Sequence, residues 1–306
     1  MNEREILEQA LERARNVLAT LEYQAAGYTS LTIPAHLKVE LDEKRQDVVS
    51  LQTRLKQLQD SGVISIAEIK PNPFGDTGCI TDASRFFGRE ELLRQVFEEL
   101  NKGVNLSLVG EPQTGKSSLL YRIKTQGGER SQPQGKAQSV FVYLNLQWVD
   151  DEKDFYEALC DNLGILNCRG YKLTRSLQGK RYVLCLDEIE KMTWDGFTVR
   201  VRSQLRGLAD GGDAPLKLVI ASRSPLAHLF PDSPELDSPL AGICYQLDVK
   251  PFSEDVVRAF VLHRLQGTGV RFSEEDIARL FVETKGHPAK LQRATFELYR
   301  RKVMSS

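Results

Sequence analysis

The chain has 306 residues, of which 41% are hydrophobic and 27% charged, and its formal net charge is −1. These values are typical of a globular protein with room for one large and one small domain, and they give no overall attraction to nucleic acid or membranes. We expect no signal peptide, because Glu3, Arg4 and Glu5 are charged, and no membrane-spanning segment, because no apolar run is long enough. The five cysteines show no CxxC or metal-binding spacing, so we expect reduced thiols in a cytoplasmic protein.

The start of the chain carries two amphipathic stripes. Apolar residues recur at steps of three and four over residues 7–25 and 37–58, with Lys44 filling one position of the second stripe. A turn-forming segment lies between the stripes and places Pro34 at the start of the second helix. The pattern predicts an antiparallel, coiled-coil-like helical hairpin over residues 1–60. Two helices bury little core, so the remaining apolar surface is expected to dock on another copy, the rest of the chain or a partner.

Two interpretations of this hairpin carry equal weight. Residues 21–28 and 33–37 resemble a short helical module placed ahead of diverse modules in bacterial conflict and signalling proteins, which implies an interaction role. The alternative is a hairpin that serves only for packing. Prolines and glycines gather in the segment that follows, and we expect a linker over residues 61–84.

A phosphate-binding pattern follows the next predicted strand. Residues 105–109 have the apolar character of a buried strand, and residues 110–117 (Gly-Glu-Pro-Gln-Thr-Gly-Lys-Ser) fit GxxxxGK(S/T). The glycines let backbone N–H groups point at phosphate oxygens, and the following helix adds the positive end of its dipole. Lys116 is expected to reach the β- and γ-phosphates, and Ser117 to hold Mg²⁺. The residues predicted to bind nucleotide here are Gly110, Gln113, Thr114, Gly115, Lys116, Ser117 and Ser118.

Two adjacent carboxylates end a second buried strand. Residues 182–186 form a continuous apolar run, typical of a parallel strand buried on both faces, and Asp187 and Glu188 follow it. Ligands bind at the carboxyl ends of such strands. Asp187 is therefore expected to hold Mg²⁺, and Glu188 to orient and deprotonate the attacking water. A strand that ends in a solvated acidic turn is the alternative.

A third apolar strand ends in polar residues. Residues 216–221 are mostly apolar and are followed by Ser222 and Arg223. Either side chain would face the γ-phosphate at the tip of the strand, and Arg223 is expected to sense that phosphate or neutralise charge in the transition state. An arginine paired with a surface carboxylate is the alternative.

Strands alternate with helices throughout the predicted core, residues 85–250. This order predicts an α/β fold in which a parallel sheet is sandwiched by helices. Further strands are predicted at 140–144 and 243–249, and helices at 89–101, 151–164 and 196–209.

The chain becomes helical after the core. Ser253 is a helix cap, Ser273 with Asp276 fits a capping box, and a third helix is expected to begin at Pro288. These signals predict a C-terminal helical lid over residues 251–306.

Together the motifs resemble one superfamily. Phosphate loop, Asp-Glu strand and polar-tipped strand, in this order, are similar to the ASCE division of P-loop NTPases. Residues 85–90 (Arg-Phe-Phe-Gly-Arg-Glu) and 286–288 (Gly-His-Pro) resemble motifs of STAND and archaeal-type AAA ATPases, and the likeness covers residues 74–303. It implies ATP or ADP with Mg²⁺ as ligands. It also implies that four residues flank the adenine and help to distinguish ATP from ADP: Phe87, Arg89, His287 and Pro288.

The resemblance implies a function with stated alternatives. STAND proteins usually carry a winged helix and a repeat array after the lid, whereas this chain ends just after it, so we expect sensing through the hairpin or another protein. The predicted function is an ATP-binding, slowly hydrolysing switch that couples nucleotide state to self-association or protein-partner recruitment, in bacterial signalling or defence. The alternatives are a DNA-directed AAA regulator, which the near-neutral charge disfavours, and a non-hydrolysing nucleotide-bound scaffold.

Two basic helices can be interpreted either as functional surfaces or as ordinary solvent-exposed helices. In AAA-like rings an arginine from a neighbour completes the site, and one arginine of the helix at 196–209 would do so here. The last helix would touch nucleic acid or an acidic partner, although a solvated face is favoured for both helices. Their cations are Arg200, Arg202 and Arg206 on the first, and Lys290, Arg293, Arg300, Arg301 and Lys302 on the second.

Overall fold

A computed structural model describes residues 3–25, 34–61, 72–130, 138–231 and 240–305. The chain divides into two compact units, Met1–Lys70 and Pro71–Ser306. None of the described helices is both long and apolar enough to cross a bilayer.

The first unit contains two paired helices, α1 (Glu3–Ala25) and α2 (Ala35–Ser61). Leu21, Leu37 and Leu41 form its small core cluster, as the two stripes predicted. Most of the turn expected between the helices, residues 26–33, lies outside the described residues.

The second unit is built on a five-stranded sheet in the order β2-β3-β4-β1-β5, and every neighbouring pair is parallel. The three inner strands are buried along their whole length, which explains their continuous apolar runs. The strands are β1 (Asn105–Val109), β2 (Val140–Asn145), β3 (Tyr182–Asp187), β4 (Leu216–Ser222) and β5 (Cys244–Asp248).

Helices cover both faces of this sheet, as predicted. Alternate residues of one strand serve the two faces: Val183 and Cys185 join one core cluster, whereas Leu184 and Leu186 join the other. Two short helices, over Tyr171–Leu177 and Leu226–Leu229, were not predicted. The helices of the core are α3 (Glu90–Asn101), α4 (Lys116–Arg130), α5 (Glu152–Leu163), α6 (Tyr171–Leu177), α7 (Val199–Ala209) and α8 (Leu226–Leu229).

The lid consists of three helices with their own apolar cluster. Ser253 caps the first, and Ser273 with Asp276 forms the capping box of the second, so both predicted caps are confirmed. The helices are α9 (Glu254–Leu265), α10 (Glu274–Thr284) and α11 (Pro288–Met304).

Part of the expected linker packs against this lid. Phe74 is 2% exposed and belongs to the lid's apolar cluster, with its ring stacked on that of Phe272. Asp76 accepts hydrogen bonds from Arg264 of α9 (2.7 Å) and Gln292 of α11 (3.2 Å), and from Arg85. The segment ahead of the core is therefore anchored on the lid.

Candidate functional site

The candidate site lies at the carboxyl edge of the sheet, where the inner strands end together. β4 pairs with both β1 and β3, and the Gly110 amide, just after β1, donates to the Ser222 carbonyl at the end of β4 (3.2 Å). The phosphate loop leads from this point into α4, which begins at Lys116. The predicted order of strand, loop and helix is thus present.

The shape of the loop depends on its glycines. A Cβ on Gly110 would lie 2.7 Å from the Val249 carbonyl oxygen, closer than side chains approach, and Gly115 has φ +92°. Thr114 closes the loop internally, since its hydroxyl donates to the Glu111 carbonyl (2.9 Å). The first-turn amides of α4 have no acceptor within their helix. Such amides, together with the positive end of the helix dipole, suit a phosphate.

The Lys116 side chain contacts the first two residues of the phosphate loop. Its Nζ donates to the carbonyl oxygens of Gly110 (2.7 Å) and Glu111 (2.8 Å). Burial lowers the pKa of Lys116, while Glu190, Glu188 and Asp187 raise it by their charge. The lysine and the acidic residues after β3 are therefore electrostatic neighbours.

Asp187 is buried, with 2% of its surface exposed, and is held by a neighbouring strand. The Tyr143 hydroxyl of β2 donates to one carboxylate oxygen (2.8 Å), and the Glu188 amide donates to the other (3.0 Å). Burial first, and the charge of Asp187 second, raise the pKa of Tyr143, so this phenol stays a neutral donor. Tyr143 was not predicted from the sequence, because its contact with Asp187 depends on how β2 pairs with β3, where Tyr143 lies opposite Cys185.

Glu188 and Arg223 form an ion pair at the same edge. Glu188 has φ +54°, in the left-handed region, and its carboxylate accepts from Arg223 Nη2 at 2.9 Å. The Arg223 amide donates to Glu190 (2.5 Å), a third carboxylate, which was not predicted from the sequence. Arg223 thus pairs with Glu188, the predicted catalytic base, and its role toward a γ-phosphate stays a prediction.

Arg89 and His287 connect flanking segments to the phosphate loop. The Arg89 guanidinium donates to the carbonyls of Lys250 (2.7 Å) and Thr114 (3.0 Å), and burial lowers its pKa to about 10. His287, immediately before α11, has Nε2 3.0 Å from the Pro112 carbonyl oxygen. Both motifs that flank the core therefore contact the loop itself.

Other predicted binding residues lie at the start of the last lid helix, ahead of α3 and in the first turn of α4. Pro288 is the first residue of α11, half-buried beside His287. The ring of Phe87 stacks on His263 of α9 (5.3 Å between centroids), and the Ser118 hydroxyl accepts from the Ile80 amide (2.8 Å). Ser117 lies in the first turn of α4, next to Lys116.

The predicted neighbour-completing arginines differ in their surroundings. Arg202 donates to the Met192 carbonyl (2.9 Å), and Arg206 lies 4.0 Å from Asp210. Arg200 is exposed. A role in a neighbouring molecule stays a prediction for all three.

The residues present fit a magnesium-bound nucleoside triphosphate. Among the described residues, Ser222 Oγ and His287 Nδ1 are buried without a hydrogen-bond partner, and both belong to segments that contact the loop. An ammonium group and unpaired amides suit phosphate oxygens, whereas one hydroxyl and one carboxylate are the usual protein share of a Mg²⁺ site that phosphates complete.

Comparison with known proteins identifies the family. A family model described as Novel STAND NTPase 1 matches residues 79–302. The chain belongs to this family. As a STAND NTPase, it is a P-loop NTPase, in agreement with the sheet order and the phosphate loop. No curated protein matches it significantly.

Solved structures show the same fold for this STAND NTPase. The Walker-type ATPase PABY2304 of Pyrococcus abyssi is 18% identical with a TM-score of 0.55, and the match covers 75% of this chain and 73% of that protein. The Aeropyrum pernix ORC2 protein, solved in ADPNP–ADP complexes, is 15% identical with a TM-score of 0.53. That match covers 75% of this chain and 65% of ORC2.

Proposed function

We propose that the chain is an ATP-dependent molecular switch that hydrolyses ATP slowly and couples its nucleotide state to assembly in the cytoplasm. The observation that carries the proposal is the convergence of Lys116, Asp187, Glu188 and Arg223 on one edge of the sheet, with His287 of the lid motif bound to the same loop. This arrangement combines the parts of a hydrolytic site with a contact through which the lid can respond.

Each residue has a distinct role in the proposed reaction. Lys116 exchanges its loop carbonyls for the β- and γ-phosphates, and Ser117 and Asp187 hold the metal. Bound Mg²⁺ supplies neutralisation of the phosphate charge. Glu188 orients the attacking water and takes its proton, and Arg223 stabilises the charge that develops on the γ-phosphate.

The ion pair between Glu188 and Arg223 supports a site that is activated only by ATP. While its carboxylate accepts from Arg223 at 2.9 Å, Glu188 is engaged and cannot orient water freely. The γ-phosphate competes for the same guanidinium, because Arg binds phosphate as readily as carboxylate. Binding of ATP, but not ADP, therefore releases the base.

The lid is the proposed responding element. His287 reaches the loop through Pro112, so a loop that tightens on phosphates moves the start of α11. A ligand shifts such an element only by its different affinity for the two states. The adenine contacts of Arg89, His287 and Pro288 are part of this proposal.

Nucleotide binding is tested by Lys116→Ala in calorimetric titration with Mg-ATP. We expect binding to be abolished or severely weakened, because the side chain that meets the terminal phosphates is lost. Lys124→Ala is the matched control, an exposed lysine of the same helix. Unchanged affinity in a folded Lys116→Ala variant would contradict the proposed site.

The assembly role is tested on α2, where Val39 and Val49 are 58% and 61% exposed. Light scattering with ATP, ADP and no nucleotide should report a mass that depends on nucleotide. Val39→Lys with Val49→Lys should remove that dependence, and Val282→Lys, an exposed valine of α10 (74%), should not. A mass that is the same in every state would refute nucleotide-coupled self-association.

A further inference from the structure

The connection from α5 to β3 concentrates positive charge. Between Asn162 and Leu186 the chain has five lysines and arginines and neither aspartate nor glutamate. Four of these cations and one tyrosine are exposed, and we call these five residues the α6 surface: Arg169, Tyr171, Lys172, Arg175 and Lys180.

The cations of the α6 surface are not neutralised locally. None of the four forms an ion pair with any residue that the structure describes. Two cations elsewhere do: Lys102 pairs with Glu99 (2.6 Å), and the half-buried Lys302 of the last helix pairs with Asp276 (2.8 Å). The exposed Lys290, Arg293 and Arg301 of α11, in contrast, form no ion pair with a described residue either, so that the exposed ring of Tyr171 distinguishes the α6 surface. An unpaired group of like charges on one short segment attracts a polyanion.

The α6 surface is held on a fixed support. Leu173 and Leu177 are fully buried, so α6 is anchored in the core. At its start, the Gln204 side chain of α7 accepts from the Gly170 amide and donates to the Gly170 carbonyl, both at 2.8 Å. α7 itself carries three arginines and no carboxylate, and Asp210, 4.0 Å from Arg206, follows it directly.

Tyr171 gives the α6 surface an aromatic platform. Its side chain is 76% exposed and belongs to none of the apolar clusters formed by the described residues, so packing does not account for it. It lies in sequence between Arg169 and Lys172. An exposed ring among unpaired cations can stack on a nucleobase while its neighbours bind phosphates.

We propose that the α6 surface binds single-stranded nucleic acid, with the cations on phosphates and Tyr171 on a base. An acidic protein would satisfy the cations but would leave the exposed ring without a role. Lys180 stands two residues before β3, at the amino edge of the sheet, whereas the phosphate loop opens at the carboxyl edge. The surface is therefore separate from the nucleotide site, and its test does not depend on ATP hydrolysis.

Fluorescence anisotropy of the full chain with a labelled single strand of mixed sequence tests the proposal. With four phosphate contacts, log K should fall against log salt with a slope of about −2.8. Arg169→Ala with Lys172→Ala and Arg175→Ala should weaken binding and reduce that slope to about −0.7. Tyr171→Ala should weaken binding about 5- to 150-fold and leave the slope unchanged.

The matched control removes three exposed cations of α11: Lys290→Ala, Arg293→Ala and Arg301→Ala. Affinity for Mg-ATP should be the same in all variants, which verifies that each is folded. The proposal is overturned if no binding occurs at low salt, or if the α11 variant loses as much affinity as the α6 variant. It is equally overturned if polyglutamate binds as tightly as the oligonucleotide and Tyr171→Ala changes neither, since the surface would then recognise acidic protein.

Discussion

Replacement of Gly286 by alanine should damage the lid more than the same change at another lid glycine. Gly286 has φ +70°, and a Cβ there would lie 1.9 Å from the Phe252 carbonyl oxygen. The obstacle is backbone and cannot rotate aside. The Gly286 carbonyl also accepts from the Phe252 amide (2.9 Å), so relief of the clash breaks this bond.

The size of the effect follows from these two terms. A non-glycine residue in the left-handed region costs about 1–2 kcal/mol, and loss of a hydrogen bond costs about 0.5–1.5 kcal/mol. Gly269, between α9 and α10, supplies the control, because it has φ +82° and no atom within 4 Å of an added Cβ. We expect destabilisation by about 3 kcal/mol for Gly286→Ala and about 1.5 kcal/mol for Gly269→Ala, or roughly 9 °C and 4 °C in Tm.

Thermal unfolding and calorimetric ATP titration together check this prediction. Because His287 follows Gly286 directly, the shifted backbone should carry Nε2 away from the Pro112 carbonyl and weaken ATP binding. Gly269→Ala should retain wild-type affinity. Equal losses of Tm, or unchanged ATP affinity in Gly286→Ala, would refute the role given to this close contact.

Three further changes probe the site. Glu188→Gln should keep Mg-ATP binding and lose turnover by roughly 10²–10⁴-fold in a phosphate-release assay, and wild-type turnover would place the base elsewhere. Tyr143→Phe removes a donor to Asp187, so the Mg²⁺ concentration for half-maximal turnover should rise roughly tenfold. Tenfold is the lower end of the effect expected when a group that orients a metal ligand is lost. An unchanged Mg²⁺ requirement would exclude this positioning role for Tyr143. Arg89→Lys keeps the charge but loses the planar fork whose two nitrogens reach the carbonyls of Lys250 and Thr114, so ATP affinity by calorimetry should fall about tenfold. Equal affinity would show that ATP binding does not need this fork.

The elements that carry the phosphate loop, Asp187 and Arg223 were predictable from the sequence, because each combines a buried apolar strand with polar residues at its end. Such local patterns specify strands and turns without knowledge of the partners. Tyr143 could not be found in this way, because its hydroxyl reaches along β3 to Asp187, two residues beyond Cys185, which lies opposite it. Glu190 could not be predicted either, because a short 3-10 turn after β3 is what brings its carboxylate to the Arg223 amide.

Contacts between distant parts of the chain were the least predictable. Asp76 meets Arg264 across 188 positions, and nothing in the proline- and glycine-containing segment around Asp76 indicates that partner. Composition correctly marked a break in regular structure there, but the absence of helix or strand does not imply the absence of packing. Helix α6 was missed for a different reason, since its seven residues are too few to display a helical period.

The anchored segment ahead of the core determines where a mechanical pull on the chain is felt. The Asn72 side chain donates to the Phe296 carbonyl (3.1 Å), the Gly75 amide donates to Gln292 (3.1 Å), and Phe74 is buried between these ties. Tension applied to the chain before residue 72 therefore acts first on α11, through these two hydrogen bonds, and only then on the sheet. Because His287 at the start of α11 contacts Pro112, a force on Gln292 or Phe296 further along α11 would be transmitted to the phosphate loop.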